Sequence, residues 1–501
     1  MNMQSQKVSM TEKIGYSLGD MSANFVFQMM MIFQLKFYTD VFGLEGAVAG
    51  SILLIARVVD AFVDPTVGIL SDRTKTKWGK YRPWVLWTAL PFCVFYILAF
   101  YNPGIENKTL VALYAGISYT LLMTAYSFNN TPYSSLCGVM SSDIKERNSI
   151  TSIRFIATTI ATFIIQGLTL PLVNKFGHTS TGVDAGKGWL CTVSLFAAVG
   201  FIFFIITFFS AKERISPPIN QKSNIKEDFK DLFNSIPWRS MFILTLFLFT
   251  TLAMWGSAMS FYFQNYVDAG SLMQFLDKMG LVAAPDAQGG FWFSILNAFG
   301  LIAKQNADAY TVGFSLFNMV GSLIQFFGVI LLSQFLANRY GKKWVFIICL
   351  ALTAVFTAMF YFPSKNDINT MFILNILKSL AYAPTVPLLW AMIADVADHS
   401  EYIYYRRATG LTFAGIVFAL KAGLGLGGAI AGTILSSFGY VANATMQSES
   451  AITGIKMSAS IIPAITFLVG VLALSFYPIT KKFNEQMQKE LTLRREREKV
   501  E

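Results

Sequence analysis

Arg57, Asp60 and Asp64 are separated by three and four residues inside the segment RVVDAFVDPTVGILSDRTKTKWGKYRPW, residues 57–84. That spacing projects all three from one side of a helix. A charged side chain at the centre of a bilayer costs about 2.5–3.5 kcal/mol on insertion scales, so three in one apolar run point to function. Two carboxylates one turn apart do not both stay ionised cheaply; the pair shares a proton or binds a cation. Arg57 offers a counter-charge one turn earlier, and Pro65 leaves a backbone carbonyl without its helical donor. A structural salt bridge is the competing reading, but one arginine leaves one acid unmatched. The segment has the chemistry of an ion-coupled transport site.

A second polar stretch is YSFNNTPYSSL, residues 126–136, inside another apolar run. Asn129, Asn130 and Thr131 supply hydrogen bonds, and Tyr126 and Tyr133 supply flat faces with polar tips. That mixture suits a sugar, whose ring has apolar C–H patches edged by hydroxyls; helix packing through small polar residues is the alternative. Arg154, in ITSIRFIATT, has no acid in its own segment and is either a packing partner or a cavity-facing donor. Lys421, in FALKAGLGLGG, needs an acid partner, and Asp60 or Asp64 is the expected one. Lys36 has a stem long enough to snorkel to the membrane surface, which is the expectation for it, and Lys378 is left between snorkelling and burial.

The elements that carry these residues are membrane helices. Of 501 residues 54% are hydrophobic and only 14% charged, about half the charged share of a soluble domain. Apolar runs of about 20 residues each cross a hydrocarbon core. Twelve are expected, at 15–38, 46–70, 83–101, 109–138, 150–172, 189–210, 240–262, 311–334, 344–362, 369–396, 408–438 and 457–477. The first 14 residues are polar, with no short apolar core before a small-residue cleavage site, so the first helix is expected to remain as an anchor. Of the 39 Lys and Arg, 27 fall in the N-terminus, the 71–82, 139–149, 211–239, 335–343 and 397–407 intervals, and the tail. The positive-inside rule then puts both termini in the cytoplasm of a bacterial-type inner membrane.

The net charge of +10 is therefore a topology signal, with no soluble basic face for nucleic acid. Cys93, Cys137, Cys191 and Cys349 lie in or against apolar segments without paired spacing and are expected to be inert. Only two histidines, His178 and His399, are present, and no phosphate-binding G-x-x-x-x-G-K-[ST] loop. No enzyme and no self-contained ATP-driven pump is expected.

The chain divides into a six-helix bundle over 1–210, a polar central loop over 211–239, a second bundle over 240–477 and a basic tail over 478–501. The central loop ends in an amphipathic piece with Phe229, Leu232, Phe233 and Ile236. The interval 263–310 is expected as an insertion on the far side, with two short helices at the cavity mouth as one form and a plain linker as the other. A junction recurs after the second helix of each half: GILSDRTKTKWGKYR and LSQFLANRYGKKW. A half-chain repeat suggests two bundles around a cavity and alternating access. The first junction resembles the cytoplasmic signature of the major facilitator superfamily, an acid–base latch that would use Asp72 and Arg73. The second has Asn338 where the acid would stand.

KIGYSLGDMSAN, FYTDVFGL, the helix-two block, YSFNNTPYSSL, ADVADHSEYIYYRRATG and the Lys421 segment together resemble the glycoside–pentoside–hexuronide:cation symporter family, whose best-known member is the melibiose carrier. The resemblance runs nearly end to end. It implies an all-α, twelve-helix facilitator fold and sugar uptake coupled to sodium or proton entry, with no other cofactor. Asp60 and Asp64 match the family's cation-site acids, and Ser127 falls where a hydroxyl ligand is expected. Arg57, Arg154 and Lys421 match its buried basic residues, and Tyr126 a sugar-pocket aromatic. Asn24 and Asn130 stand where the melibiose carrier holds its galactoside with acids, which argues for another substrate and makes a hexuronide easier to accept beside Arg154. Val63 adds no oxygen to the cation site, and this favours a proton. The resulting expectation is a monomeric symporter whose pocket is built from Asn24, Tyr126, Asn130, Tyr133 and Arg154. A lipid or lysolipid transporter and a membrane sugar sensor are the alternatives.

Overall fold

The computed structural model describes residues 7–141, 143–179, 182–214, 225–283, 290–404, 409–444 and 446–497. The chain is helical almost throughout. Its first half contains α1 (Met10–Ile32), α2 (Gly46–Arg73), α3 (Arg82–Ala99), α4 (Lys108–Met140), α5 (Ile144–Gly177) and α6 (Ala185–Ser210). A short helical turn at Gln34–Lys36 and a π-helical turn at Phe37–Val41 extend α1. Then come α7 (Ile225–Asn234), α8 (Ile236–Asn265), α9 (Ala269–Lys278), α10 (Phe291–Ala298), α11 (Asn306–Tyr340) and α12 (Lys342–Met359). The chain ends with α13 (Ile368–Tyr382), α14 (Thr385–Tyr404), α15 (Thr409–Ser437), α16 (Glu449–Ala459), α17 (Ile461–Ser475) and α18 (Lys481–Arg497).

Among the described residues, 11 helical stretches are long and apolar enough to cross a membrane; α13–α14 and α16–α17 each count as one. They coincide with the expected spans from 46–70 onward. The first span is the exception. α1 carries Glu12, Lys13 and Asp20, all buried, and its polar content keeps it below the apolarity of the others. The interval 263–310 holds the short helices α9 and α10, joined by a parallel bridge between Val282 and Ala303. Residues 284–289, 405–408 (within the 394–410 motif) and the side chain of Phe229 lie outside the described residues.

The burial pattern is that of a protein dissolved in lipid. On α2 the charged Arg57 and Asp60 are buried, while Ile55, Val58 and Phe62 are exposed, Phe62 by 75%. Such an arrangement would be inverted in water and is expected where the surrounding solvent is hydrocarbon.

Two compact units are present. The first comprises residues 1–219, 256–319 and 428–455. Within it α1 packs on α5 and α6, α2 and α3 pack on α4, and α3 and α5 pack on α6. Small residues let α2 and the end of α15 approach closely: a Cβ on Gly432 would stand 2.0 Å from the Gly46 carbonyl oxygen. The second unit comprises residues 220–255, 320–427 and 456–501. Its core joins Trp238, Met241 and Leu244 of α8, Phe346 and Leu350 of α12, Met392 of α14, and Phe467 and Leu474 of α17. Leu232 of α7 is buried in that core, whereas Phe233 and Ile236 are exposed as an amphipathic surface segment requires.

Candidate functional site

The α2 charges face α4 rung by rung. Ser127 donates a hydrogen bond to Asp60 Oδ1, and Thr131, one turn further along, donates to Asp64 Oδ1 at 3.4 Å. Both helices thus present partners at i and i+4, so the periodicity of one matches that of the other. Asp60 is 1% exposed and Asp64 half-buried. Arg57, also buried, reaches the hydroxyl of Tyr119 on α4. Carboxylate and hydroxyl oxygens from two helices therefore meet at one depth, with a guanidinium a turn away. These are groups that exchange a proton or surround a small cation. Asn129, by contrast, turns to α3, where its Nδ2 donates to Thr88 Oγ1 at 2.9 Å.

A second cluster forms where α1, α4 and α5 meet. Arg154 Nε donates to Asp20 Oδ2 at 3.0 Å. The guanidinium lies over the rings of Tyr133 (5.2 Å to the centroid) and Tyr16 (5.7 Å). Those rings stack at 4.6 Å, and each hydroxyl donates to the other residue's backbone carbonyl. Tyr133 is wholly buried, so its ring and hydroxyl are committed to the α1–α4 seam. Asn24 donates to the Asp20 backbone oxygen at 2.8 Å and to Asp20 Oδ1 at 3.4 Å. Tyr126 is half-buried on the same helix as Ser127 and Thr131, within electrostatic reach of Asp20, Arg57, Asp60 and Asp64, and its ring packs on Phe92 of α3. Asn130 is half-buried on the same helix.

Asp20 is the residue that reading the sequence missed. It stands in KIGYSLGDMSAN inside the first expected span, four residues before Asn24 and so on the same helix face. Like Asp60, it is an ionisable group at membrane depth, and that signal is present in the sequence. Tyr119 and the partnership of Thr131 with Asp64 carried no comparable signal.

At the other end of α2 the junction loop closes on itself. Asp72 pairs with Lys80 at 3.3 Å and accepts from the Tyr81 hydroxyl at 2.7 Å; Arg73 is exposed. Glu213 accepts from the backbone N–H groups of Lys80, Tyr81 and Arg82 at 2.8, 2.7 and 2.8 Å, a carboxylate seated on the start of α3. Nearby, Glu12 holds Arg214 through two bonds of 2.7 Å and keeps the guanidinium above its ordinary pKa, against the opposing effect of burial. In the second unit the corresponding Lys342 takes its acid from α14, Asp395, at 2.7 Å. Lys421 lies on α15 in that unit, 9% exposed.

Lys36 departs from expectation. It does not snorkel: its ammonium is buried against Asp40 at 2.6 Å, Gln264 of α8, and the rings of Phe261 and Tyr310. Lys378 is turned over the ring of Trp255, 2.9 Å from its centroid.

A helical polytopic chain with charged and hydroxyl side chains gathered at membrane depth defines a secondary transporter. The fold is that of solved facilitator transporters: the D-xylose-proton symporter superposes with a TM-score of 0.62 at 12% identity, covering 94% of this chain and 97% of that one. The nucleoside transporter NupG gives 0.55 at 13% identity, covering 94% and 100%. The family model described as MFS/sugar transport protein matches residues 15–327 and 287–481, and the chain belongs to that family. It is 32% identical to the inner membrane symporter YicJ of Escherichia coli K12, over 95% of this chain and 94% of that protein. It is 31% identical to the putative glycoside/cation symporter YagG of the same organism (97% and 95%) and 30% identical to the isoprimeverose transporter of Lactiplantibacillus pentosus (95% and 90%).

Proposed function

We propose that this chain carries a glycoside or short oligosaccharide across the inner membrane together with a cation, by alternating access. The observation that carries the reading is the paired ladder of Asp60–Ser127 and Asp64–Thr131 on α2 and α4, with the buried Arg57 one turn from Asp60. The cation site comprises Asp60, Asp64 and Ser127, with Arg57 balancing the acids when the cation is absent. The sugar site draws on Asn24, Tyr126, Asn130 and Arg154, with Tyr133 as the wall behind the guanidinium. The relatives' names, a glycoside/cation symporter and an isoprimeverose transporter among them, support a saccharide substrate and cation coupling.

Coupling follows from charge. A cation on Asp60 and Asp64 changes the charge of a low-dielectric site, so the form holding both cation and sugar changes conformation at lower cost than the half-occupied one. We take the ion to be a proton, because Val63 adds no oxygen; Thr131 is the feature that favours sodium. Both termini are cytoplasmic in this reading, on the strength of the basic loops, and the working unit is a monomer.

The test is uptake into right-side-out vesicles. Candidate glycosides and pentosides are added singly while external pH is recorded, with and without sodium. Sugar entry with alkalinisation that is lost in Asp60→Asn supports proton symport. Sugar entry that needs sodium and leaves pH flat replaces the ion but retains the symporter. Entry that depends on no ion gradient overturns it.

A further inference from the structure

The amides at Asn24 and Asn130 leave Arg154 looking like a receptor for a sugar carboxylate. Its surroundings argue otherwise. Arg154 already has a carboxylate: Asp20 Oδ2 accepts from its Nε at 3.0 Å, and the side chains are only 21% and 13% exposed. Asp20 is itself fixed from behind, since Asn24 donates to its backbone oxygen and approaches its Oδ1. The guanidinium cannot easily swing away from the acid, because it lies over the stacked pair of Tyr16 and Tyr133, which are locked by their reciprocal hydrogen bonds.

A neutral hydroxyl can accept from the guanidinium while Asp20 stays in place, because an arginine has five N–H donors and the bond to Asp20 engages Nε. A uronate carboxylate would have to compete with Asp20 for the same cation and sit beside it as a like charge.

We propose that Asp20 is a specificity-determining residue that acts through Arg154: it cancels the charge of the guanidinium and so selects uncharged glycosides against hexuronides. The proposal rests on the saccharide-symport reading and narrows its substrate class. Asp20 is a positioning residue in this scheme, with Arg154 the group that meets the sugar.

The experiment uses matched p-nitrophenyl glycosides, α and β, of glucose, xylose and glucuronic acid. Uptake is measured for the wild-type chain and for Asp20→Asn, Asp20→Glu and the double variant Asp20→Asn/Arg154→Gln, each normalised to protein in the membrane. The wild-type chain is expected to favour a neutral glycoside over the glucuronide by roughly tenfold or more. Asp20→Asn should narrow that ratio by about tenfold, through a lower KM for the glucuronide. Asp20→Glu should restore the wild-type ratio, and the double variant should lose the gain for the glucuronide. A purely structural role for Asp20 would instead slow all three sugars together, and an unchanged ratio in Asp20→Asn overturns the proposal while leaving symport intact. A wild-type preference for the glucuronide overturns it without any variant, which covers the case in which Asp20→Asn does not reach the membrane. If the wild-type chain moves no saccharide under any ion gradient, the symport reading falls and this proposal with it.

Discussion

Asp60 and Asp64 have the same side chain one turn apart, yet their surroundings differ. Asp60 is sealed and takes a hydroxyl hydrogen bond from Ser127, whereas Asp64 is half-buried with a longer contact to Thr131. On the proposed reading, Asp60 is therefore the acid to remove first. Asp60→Asn keeps its volume and removes the charge; ion-driven sugar accumulation should fall by about 5–150-fold, the usual range of a coupling between two sites, while sugar-for-sugar exchange persists. Equal loss of accumulation and exchange would assign Asp60 to sugar binding or folding. Ser127→Ala deletes one hydrogen bond to a charged group, worth about 1.5–3 kcal/mol, and should show as a weaker apparent affinity for the ion with the maximal rate little changed. These two residues were legible for different reasons. An acid in an apolar run announces itself, but Ser127 is one hydroxyl among several in its segment and was singled out only through resemblance to known symporters. Asp20 passed unread because a Gly-Asp pair near a chain start looks like an ordinary polar end, and its partner lies 134 residues away.

At the scale of elements, the order of the helices was readable from apolar runs and basic junctions, but what fastens the junctions was not. Gly79 has φ +117°, a conformation open to glycine, and a Cβ there would stand 2.5 Å from the Glu213 carboxyl carbon. Glu213 in turn caps three N–H groups at the start of α3, from more than 130 positions along the chain. The loop motif thus shows its glycine and lysine in sequence and conceals its carboxylate in the central loop. Glu213→Ala leaves those N–H groups without their acceptor and should lower stability by about 1–3 kcal/mol, read as a fall in the Tm of purified protein. Gly79→Ala should lower Tm as well, by strain and by displacing the same carboxylate. Because the two share one contact, their effects should be less than additive; full additivity would mean that the glycine acts through backbone conformation alone.

For the molecule as a whole, the first compact unit is more than the first half of the sequence: it takes in residues 256–319 and 428–455 as well. Half of the reason is steric, the close approach of Gly46 and Gly50 to Gly432 and Ala429. The other half is the buried pair Lys36–Asp40. Tyr440 donates to Asp40 Oδ1 at 2.9 Å, Asn443 to the Asp40 backbone oxygen at 2.8 Å, and Lys36 meets Gln264, so one ion pair ties the end of α1 to α8 and to the loop after α15. The expectation that Lys36 would snorkel treated it as a solitary cation; its acid four residues on and the aromatic walls of Phe261 and Tyr310 keep it inside. Removing one member of a buried pair strands the other. Lys36→Met should therefore cost about 3–5 kcal/mol, whereas Lys36→Met/Asp40→Asn, which takes out both charges, should recover much of that loss. Thermal unfolding of the two purified variants beside the wild-type protein decides the point. If the double variant is no more stable than Lys36→Met, the charges are not balancing one another, and the unit is held at that end by the glycine contacts and the hydrogen bonds of Tyr440 and Asn443.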